Sequence, residues 1–471
     1  MTDSPLFAPL TAPIVRPLRW IGLALALLLA AVSAGFGFGQ SIPVQYVIFT
    51  TAATFALGLW LWNGFFVRWA AEASLKSLAA AERSGRQLSA RTALRGFISG
   101  NKGLLAGLAI LILGFIILAL TLTGFLTWIN LFTALLLAAA LVFTTLTSKA
   151  FGDNRSAFIG LMVLGTMFVI ASLHVPGFLS GANIKSMLVF ASFLGLATVG
   201  QTLVALLGGL DLSIPFLIGS SNVGLLYLIG LGIPSPIAVI LVLLIGSLIG
   251  LINGILSFPL QGQALIVTLG IGFATSGLTQ ILTSIGSSFA GNVYGKVPKW
   301  LSNLAAMNGV TFGIGFPPVI LIWIVVAAAL IYGMKNTVYG RYLYALGGNR
   351  TSAQRIRISE RRYWWGAFAV SGFSSALTGS LLLGWSGGGF IGVGDPYLFM
   401  TLSALVIGGT SLLGGQGGYG FTVIGVLVLQ VLTAFLVGIG LKYEWQQFIY
   451  GILILPMVAL YGRSPHIRTQ I

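Results

Sequence analysis

The sequence predicts an all-α, polytopic membrane protein with about fourteen transmembrane segments, on three observations. The chain of 471 residues is 57% hydrophobic with a mean hydropathy of +1.01, more apolar surface than a soluble protein of this size can hide. Apolar runs of about twenty residues recur along it, each long enough to span a bilayer as a helix. The charged residues, only 7% of the total, gather between those runs. No alternating ten-residue pattern of a membrane β-barrel is present. The net charge of +16 follows from topology and does not point to nucleic acid, because the basic residues lie between spans. With no Cys, disulfides, thiolate metal sites and Cys nucleophiles are excluded. His174 and His466 cannot make a metal site by themselves.

Taken in order, apolar segments near 19–38, 44–66, 103–126 and 128–147 form an N-terminal membrane extension, 1–156. Ala31 to Ala34 resembles a signal-peptidase site, but the apolar core before it exceeds a usual signal core, so the segment reads as a retained span. The basic loop 67–102 carries apolar residues at helical spacing, among them Ala71, Leu75, Leu78 and Ala79. It reads either as an amphipathic helix on the inner leaflet or as a solvated linker. A core of ten further segments, 157–471, follows near 157–174, 186–207, 212–230, 237–258, 264–284, 317–334, 363–384, 397–413, 418–439 and 447–462. Threaded alternately from an inside N-terminus, these leave only Lys185, Lys296, Lys299 and Lys442 outside and the other 20 of 24 basic residues inside. That asymmetry predicts an N-in, C-in topology. Gly208, Gly209, Asp211 and Pro215 make 208–230 a candidate broken or re-entrant helix. The outer loop 285–316 is long enough to carry a short helix.

Ionisable residues within the spans are scarce. Asp211 is the one acid near an embedded position, which argues against a proton- or sodium-coupled carrier. No phosphate-binding G-x-x-x-x-G-K-[ST] occurs, and the Gly-rich run 408–420 has no Lys to reach a phosphate, so packing or a tight turn is its expected role. Asp211 reads first as a cap for the helix that follows it and second as a substrate contact. Gln201, Asp211, Ser213, Asn253, Thr268 and Thr410 are polar groups in apolar surroundings. They are candidates for a substrate path, against the plainer reading of interhelical hydrogen bonds. The stretch 335–362, with Arg341, Arg350, Arg355, Arg357, Arg361 and Arg362 against Glu360, reads as an inside loop or as a docking surface for a soluble partner.

Four motifs in order, GGLDLS at 208–213, LINGIL with ALIVTLG at 251–256 and 264–270, GRYLYALGGN at 340–349 and LVIGGTSLLGGQGG at 405–418, resemble the permease subunits of ribose/xylose-type (monosaccharide) ABC importers. This family also includes branched-chain amino-acid permeases. The resemblance covers about two thirds of the chain. It implies a non-enzymatic transport subunit of the bacterial inner membrane working by alternating access. The implied partners are cytoplasmic ATP-binding subunits, which hold ATP and Mg while this chain binds no cofactor, a second permease copy in a homo- or heterodimer, and a periplasmic solute-binding protein. It also implies that Gly347, Gly348, Asn349, Arg350, Ala353 and Ile356 form a coupling helix seated on the ATPase, with no catalytic or metal residues in this chain. A monosaccharide is the expected solute; amino acids or nucleosides in the same machine, and an ion-coupled carrier or channel, are the alternatives. The chain departs from the family pattern at Ile214-Pro215, where the GGxDLSxG motif ends; at Met400, near the place of an acid; and at Arg357-Ile358, where a Gly-Ile pair is usual.

Overall fold

The computed structural model describes residues 107–108, 111–113, 128–147, 155–284 and 291–451. The expected spans at 19–38 and 44–66, the basic loop 67–102, most of 103–126 and most of 447–462 lie outside the described residues. The chain divides into two compact units, 1–155 and 156–471. In the first, α1 (Trp128–Thr147) is a twenty-residue helix occupying the expected segment 128–147.

The second unit contains α2 (Arg155–His174), α3 (Gly181–Leu206), α4 (Ile214–Gly230), α5 (Ser235–Ser257) and α6 (Ala264–Ser284). After these come α7 (Lys299–Ala305), α8 (Pro318–Asn336), α9 (Val338–Gly348), α10 (Arg350–Arg355), α11 (Glu360–Ser386), α12 (Tyr397–Gly408) and α13 (Tyr419–Gly438). A further helix is under way at Tyr443. β1 (Asn292–Val293) and β2 (Gly389–Phe390) pair antiparallel, Asn292 opposite Phe390. Among the described residues, eight helical stretches are long and apolar enough to cross a membrane.

Two expected segments have bounds of their own. The segment 212–230, left open as a broken or re-entrant helix, forms α4 of 17 residues, about 25 Å at helical rise against a hydrocarbon core of about 30 Å. Its start is displaced by the break at 207–213, where Gly208 takes φ +77°. The expected segment 397–413 corresponds to a membrane-length stretch that starts and ends earlier, Ile391–Gly408. α12 spans 12 residues and ends at Gly409, in the left-handed region at φ +97°, which a side chain disfavours. The loop 285–316 does carry a short helix, α7.

α3 and α11 form the centre. Gly200 on α3 lies directly against the Ser371 backbone of α11, where a Cβ would have no room. On the other side of α11, Gly246, Gly250 and Gly254 of α5 face Phe368, Gly372 and Ala376, a small-residue stripe that lets backbones approach closely without a hydrophobic driving force. Trp323 of α8 donates to the Tyr419 hydroxyl at 3.1 Å, and that hydroxyl donates to the Gly195 carbonyl at 2.7 Å, joining α8, α13 and α3 through one buried polar chain. By contrast Ile266, Phe273, Leu278 and Ile281 of α6 are exposed, the outward apolar face expected of a helix that meets lipid.

The loops 208–211, 335–362 and 414–417 converge at one end of this bundle. At the other end β1 pairs with β2, and Lys185 Nζ donates to Gly315 O at 2.7 Å.

Candidate functional site

At the converging end, α9 begins with Thr337, whose side chain accepts from Gly340 N at 3.3 Å, and it stops at Gly348. Asn349 then caps α10, its Oδ1 accepting from Ser352 N at 2.9 Å, so two short helices meet at a single non-helical residue. Gly347 lies against the Leu206 carbonyl and the Gly415 backbone, leaving no room for a Cβ. Gly415 N donates to Leu206 O at 2.9 Å, satisfying a carbonyl orphaned at the end of α3. Tyr344 donates to Gly417 O at 2.8 Å; burial pushes its phenol up, so it remains a neutral donor. The Gly-rich run is therefore a tight turn, with Gly414, Gly415, Gly417 and Gly418 all at positive φ.

Arg350 locks this junction. Its Nη2 donates to Leu207 O at 2.7 Å, and its Nε lies 3.3 Å from Glu360 Oε1. The guanidinium also stacks 5.6 Å from the centre of the Trp364 ring, and Gln354 donates to the other Glu360 oxygen at 3.1 Å. One cation thus ties α10, the start of α11 and the end of α3. Of the two apolar residues expected to meet a partner, Ala353 is instead buried within its own chain, whereas Ile356 is 68% exposed. Gly348 and Asn349 are exposed beside them.

Gln201, Asp211, Ser213, Asn253 and Thr268 are brought together at the α3–α4 break, all buried. Asp211 Oδ1 accepts from Ser213 N at 2.9 Å and from Ser213 Oγ at 2.6 Å. Its Oδ2 accepts from Ser371 Oγ of α11 at 2.7 Å. Asn253 donates to Ser213 Oγ at 2.8 Å. Gln201 Oε1 accepts from Asp211 N at 3.3 Å, and Thr268 Oγ1 accepts from Leu212 N at 3.1 Å. The network gives the backbone of the break the partners that the interrupted helix no longer supplies. Thr410 lies apart from it. Its hydroxyl donates to Gly418 O and accepts from Gly418 N, both at 3.2 Å, pinning the Gly-rich turn.

These six residues were expected to line a substrate path or to make interhelical hydrogen bonds, and the hydrogen bonds are what the structure displays. Ser371, the partner that ties Asp211 to α11, was missed by the sequence reading; a Ser in an apolar span offers little signal.

A larger opening lies at the opposite end. A cavity of about 960 Å³ is bordered by Asn183, Trp385, Asp395, Tyr397, Gln430 and Tyr443, among others. Gln430, a buried amide within an apolar span, carries the same signal that singled out Gln201. Among the described residues no cluster of His, Cys, Asp and Glu is arranged to hold a metal ion.

Residues 183–458 match the family model described as branched-chain amino acid transport system / permease component. The chain is 32% identical to the ribose import permease protein RbsC of Haemophilus influenzae over 308 residues, 65% of this chain and 92% of that protein. It is 32% identical to the probable ABC transporter permease protein YphD of Escherichia coli over 311 residues, 66% of this chain and 91% of that protein. With the fructose import permease protein FruG of Bifidobacterium longum it shares 30% identity over 281 residues, 59% of this chain and 82% of that protein. No solved structure matches. An unbroken match across most of the second unit, on a bundle of membrane-length helices, identifies the chain as a multi-pass member of the branched-chain amino acid transport system / permease component family, the permeases of ABC transporters.

Proposed function

We propose that this chain is the membrane-spanning subunit of an ATP-driven importer that moves a monosaccharide into a bacterial cell across the inner membrane. Two relatives are named for the import of ribose and of fructose, which supports a small polyhydroxylated solute. In this reading the end carrying 335–362 is cytoplasmic and both chain termini face inside, consistent with the distribution of basic residues. Separate subunits hold ATP and Mg and seat on the exposed turn of Gly348, Asn349 and Ile356. A binding protein delivers solute at the other end, and a second permease copy completes the passage.

The observation that carries this reading is the junction at Gly347 and Arg350. A push on α9 and α10 acts directly on the ends of α3 and on the α12–α13 turn, because Gly347 and Arg350 leave no slack between them. Rigid-body displacement there changes the relation of the helices that stop there, the kind of element that alternating access requires.

The test is reconstitution in vesicles with a cognate ATPase and binding protein from the same organism, following uptake of radiolabelled ribose, xylose and a branched-chain amino acid. Uptake of a sugar that requires ATP is expected. Replacement of Ile356 by Asp is expected to reduce ATPase co-purification while the chain still inserts. Transport that persists without any ATPase would overturn the proposal in favour of an ion-coupled carrier or channel.

A further inference from the structure

We propose that the groove between α8 and α11 at the coupling end binds one acidic phospholipid, its headgroup phosphate held by Arg357 and Arg362. The cavity there measures about 660 Å³. Leu203 of α3, Leu330 of α8, and Ala367 and Val370 of α11 line its apolar body, while Arg357, Ser359 and Arg362 line its polar mouth. It therefore has the two-part character of a lipid, hydrocarbon wall below and cations above.

The backbone supplies the strongest reason. α10 ends in a paired turn in which Arg357 N donates to Gln354 O at 2.9 Å and Ile358 N donates to Ala353 O at 3.1 Å. This motif places its penultimate residue in the left-handed region, which Gly fills without cost. Here that residue is Arg357, at φ +62°. A side chain kept in a conformation that disfavours it calls for a role for that side chain. The role is at the mouth of the groove, which Arg357 lines.

The charges agree. Arg350 is engaged by Glu360, and Arg361 lies over the Phe258 and Trp365 rings. Neither Arg357 nor Arg362 has a carboxylate partner among the described residues. An anion is the complement that these two guanidinium groups, both lining the groove, lack. Tyr339 and Tyr342, which line the same groove, are exposed, as aromatic residues at a membrane–water interface are. At that depth the available anion with an apolar tail is a phospholipid headgroup, and basic residues beside such helices attract acidic lipid.

The test uses the full chain in detergent, with phosphatidylglycerol and phosphatidylcholine as probes and native mass spectrometry to count lipid retained after washing. Phosphatidylglycerol is expected to outlast phosphatidylcholine by about one molecule per chain. Arg357→Gly and Arg362→Gln are each expected to weaken its retention about fivefold, as for loss of one basic residue near an acidic membrane surface. Arg357→Gly removes the backbone strain, so its thermal midpoint should equal or exceed that of the parent, which separates lost lipid from lost fold. Equal retention of the two lipids, or unaltered phosphatidylglycerol retention in both variants, would overturn the proposal. So would displacement of the lipid by millimolar inorganic phosphate, which would make this a site for the free anion. Cross-linking of the groove to a second copy of the chain, with no lipid retained, would overturn it as well.

Discussion

The guanidinium of Arg350 donates to the carbonyl of Leu207 at 2.7 Å, across 143 residues of sequence. That carbonyl belongs to the break after α3, where the helix has stopped supplying partners. Arg350 also holds the buried Glu360, so one side chain satisfies both a helix end and a carboxylate.

Arg350→Ala is expected to lower stability by about 1–3 kcal/mol. This is less than for a fully buried pair, since the Arg350 side chain is 35% exposed. The loss comes from leaving Glu360 without its cation. Arg350→Ala combined with Glu360→Gln should recover part of it, and thermal unfolding in detergent reads both. No recovery in the double variant would mean that the contacts to Leu207 and Trp364 dominate.

Gly347 and Gly348 make a matched pair. A Cβ at Gly347 meets the Leu206 carbonyl and the Gly415 backbone, whereas one at Gly348 meets nothing within 4 Å. Gly347→Ala should therefore cost about 1–3 kcal/mol through overpacking and depress ATP-driven uptake. Gly348→Ala should be tolerated in stability. Equal midpoints for the two variants would contradict the close approach of the 347–349 turn to α3.

Asp211 distinguishes a structural clamp from a substrate contact. Asp211→Ala strands the Ser213 amide and the Ser371 hydroxyl, at about 1–3 kcal/mol for each buried group left without a partner. Ser371→Ala, which deletes only one donor, should cost less. As a clamp, Asp211→Asn lowers the thermal midpoint and the maximal rate without a selective rise in the KM for solute. A raised KM at unchanged stability would instead place solute on this carboxylate.

Gly250 tests the stripe between α5 and α11. Its missing side chain admits the Phe368 carbonyl and Gly372, so Gly250→Leu should force the helices apart and abolish a monodisperse peak in size-exclusion chromatography. Gly270→Leu is the control, since nothing lies within 4 Å of a Cβ there. Similar profiles for the two would deny the close packing.

The helical membrane class, the places of most described spans and the break beside Asp211 were legible because hydropathy, Gly and Pro act locally along the chain. The short helix α7 was foreseen from loop length alone. What each polar residue does was not legible. Asp211 and Ser371 are 160 residues apart, and nothing in either neighbourhood announces the other. Nor did the alternation of spans foretell that α12 stops after 12 residues, since continuous hydropathy through 397–413 conceals the turn that Gly409 makes.

By itself, the sequence determined that this chain lives in a membrane, where charge lies along it, and which loop carries the GRYLYALGGN motif. Those properties depend on composition and short spacing. Only the tertiary structure decided that Gln201, Asp211, Ser213, Asn253 and Thr268 close a helix break. It alone decided that Ala353 faces inward while Ile356 faces out, and that Arg357 stands at the mouth of an apolar groove. The physical reason is that a polar group in an apolar interior takes whichever partner the packing of distant helices brings within reach.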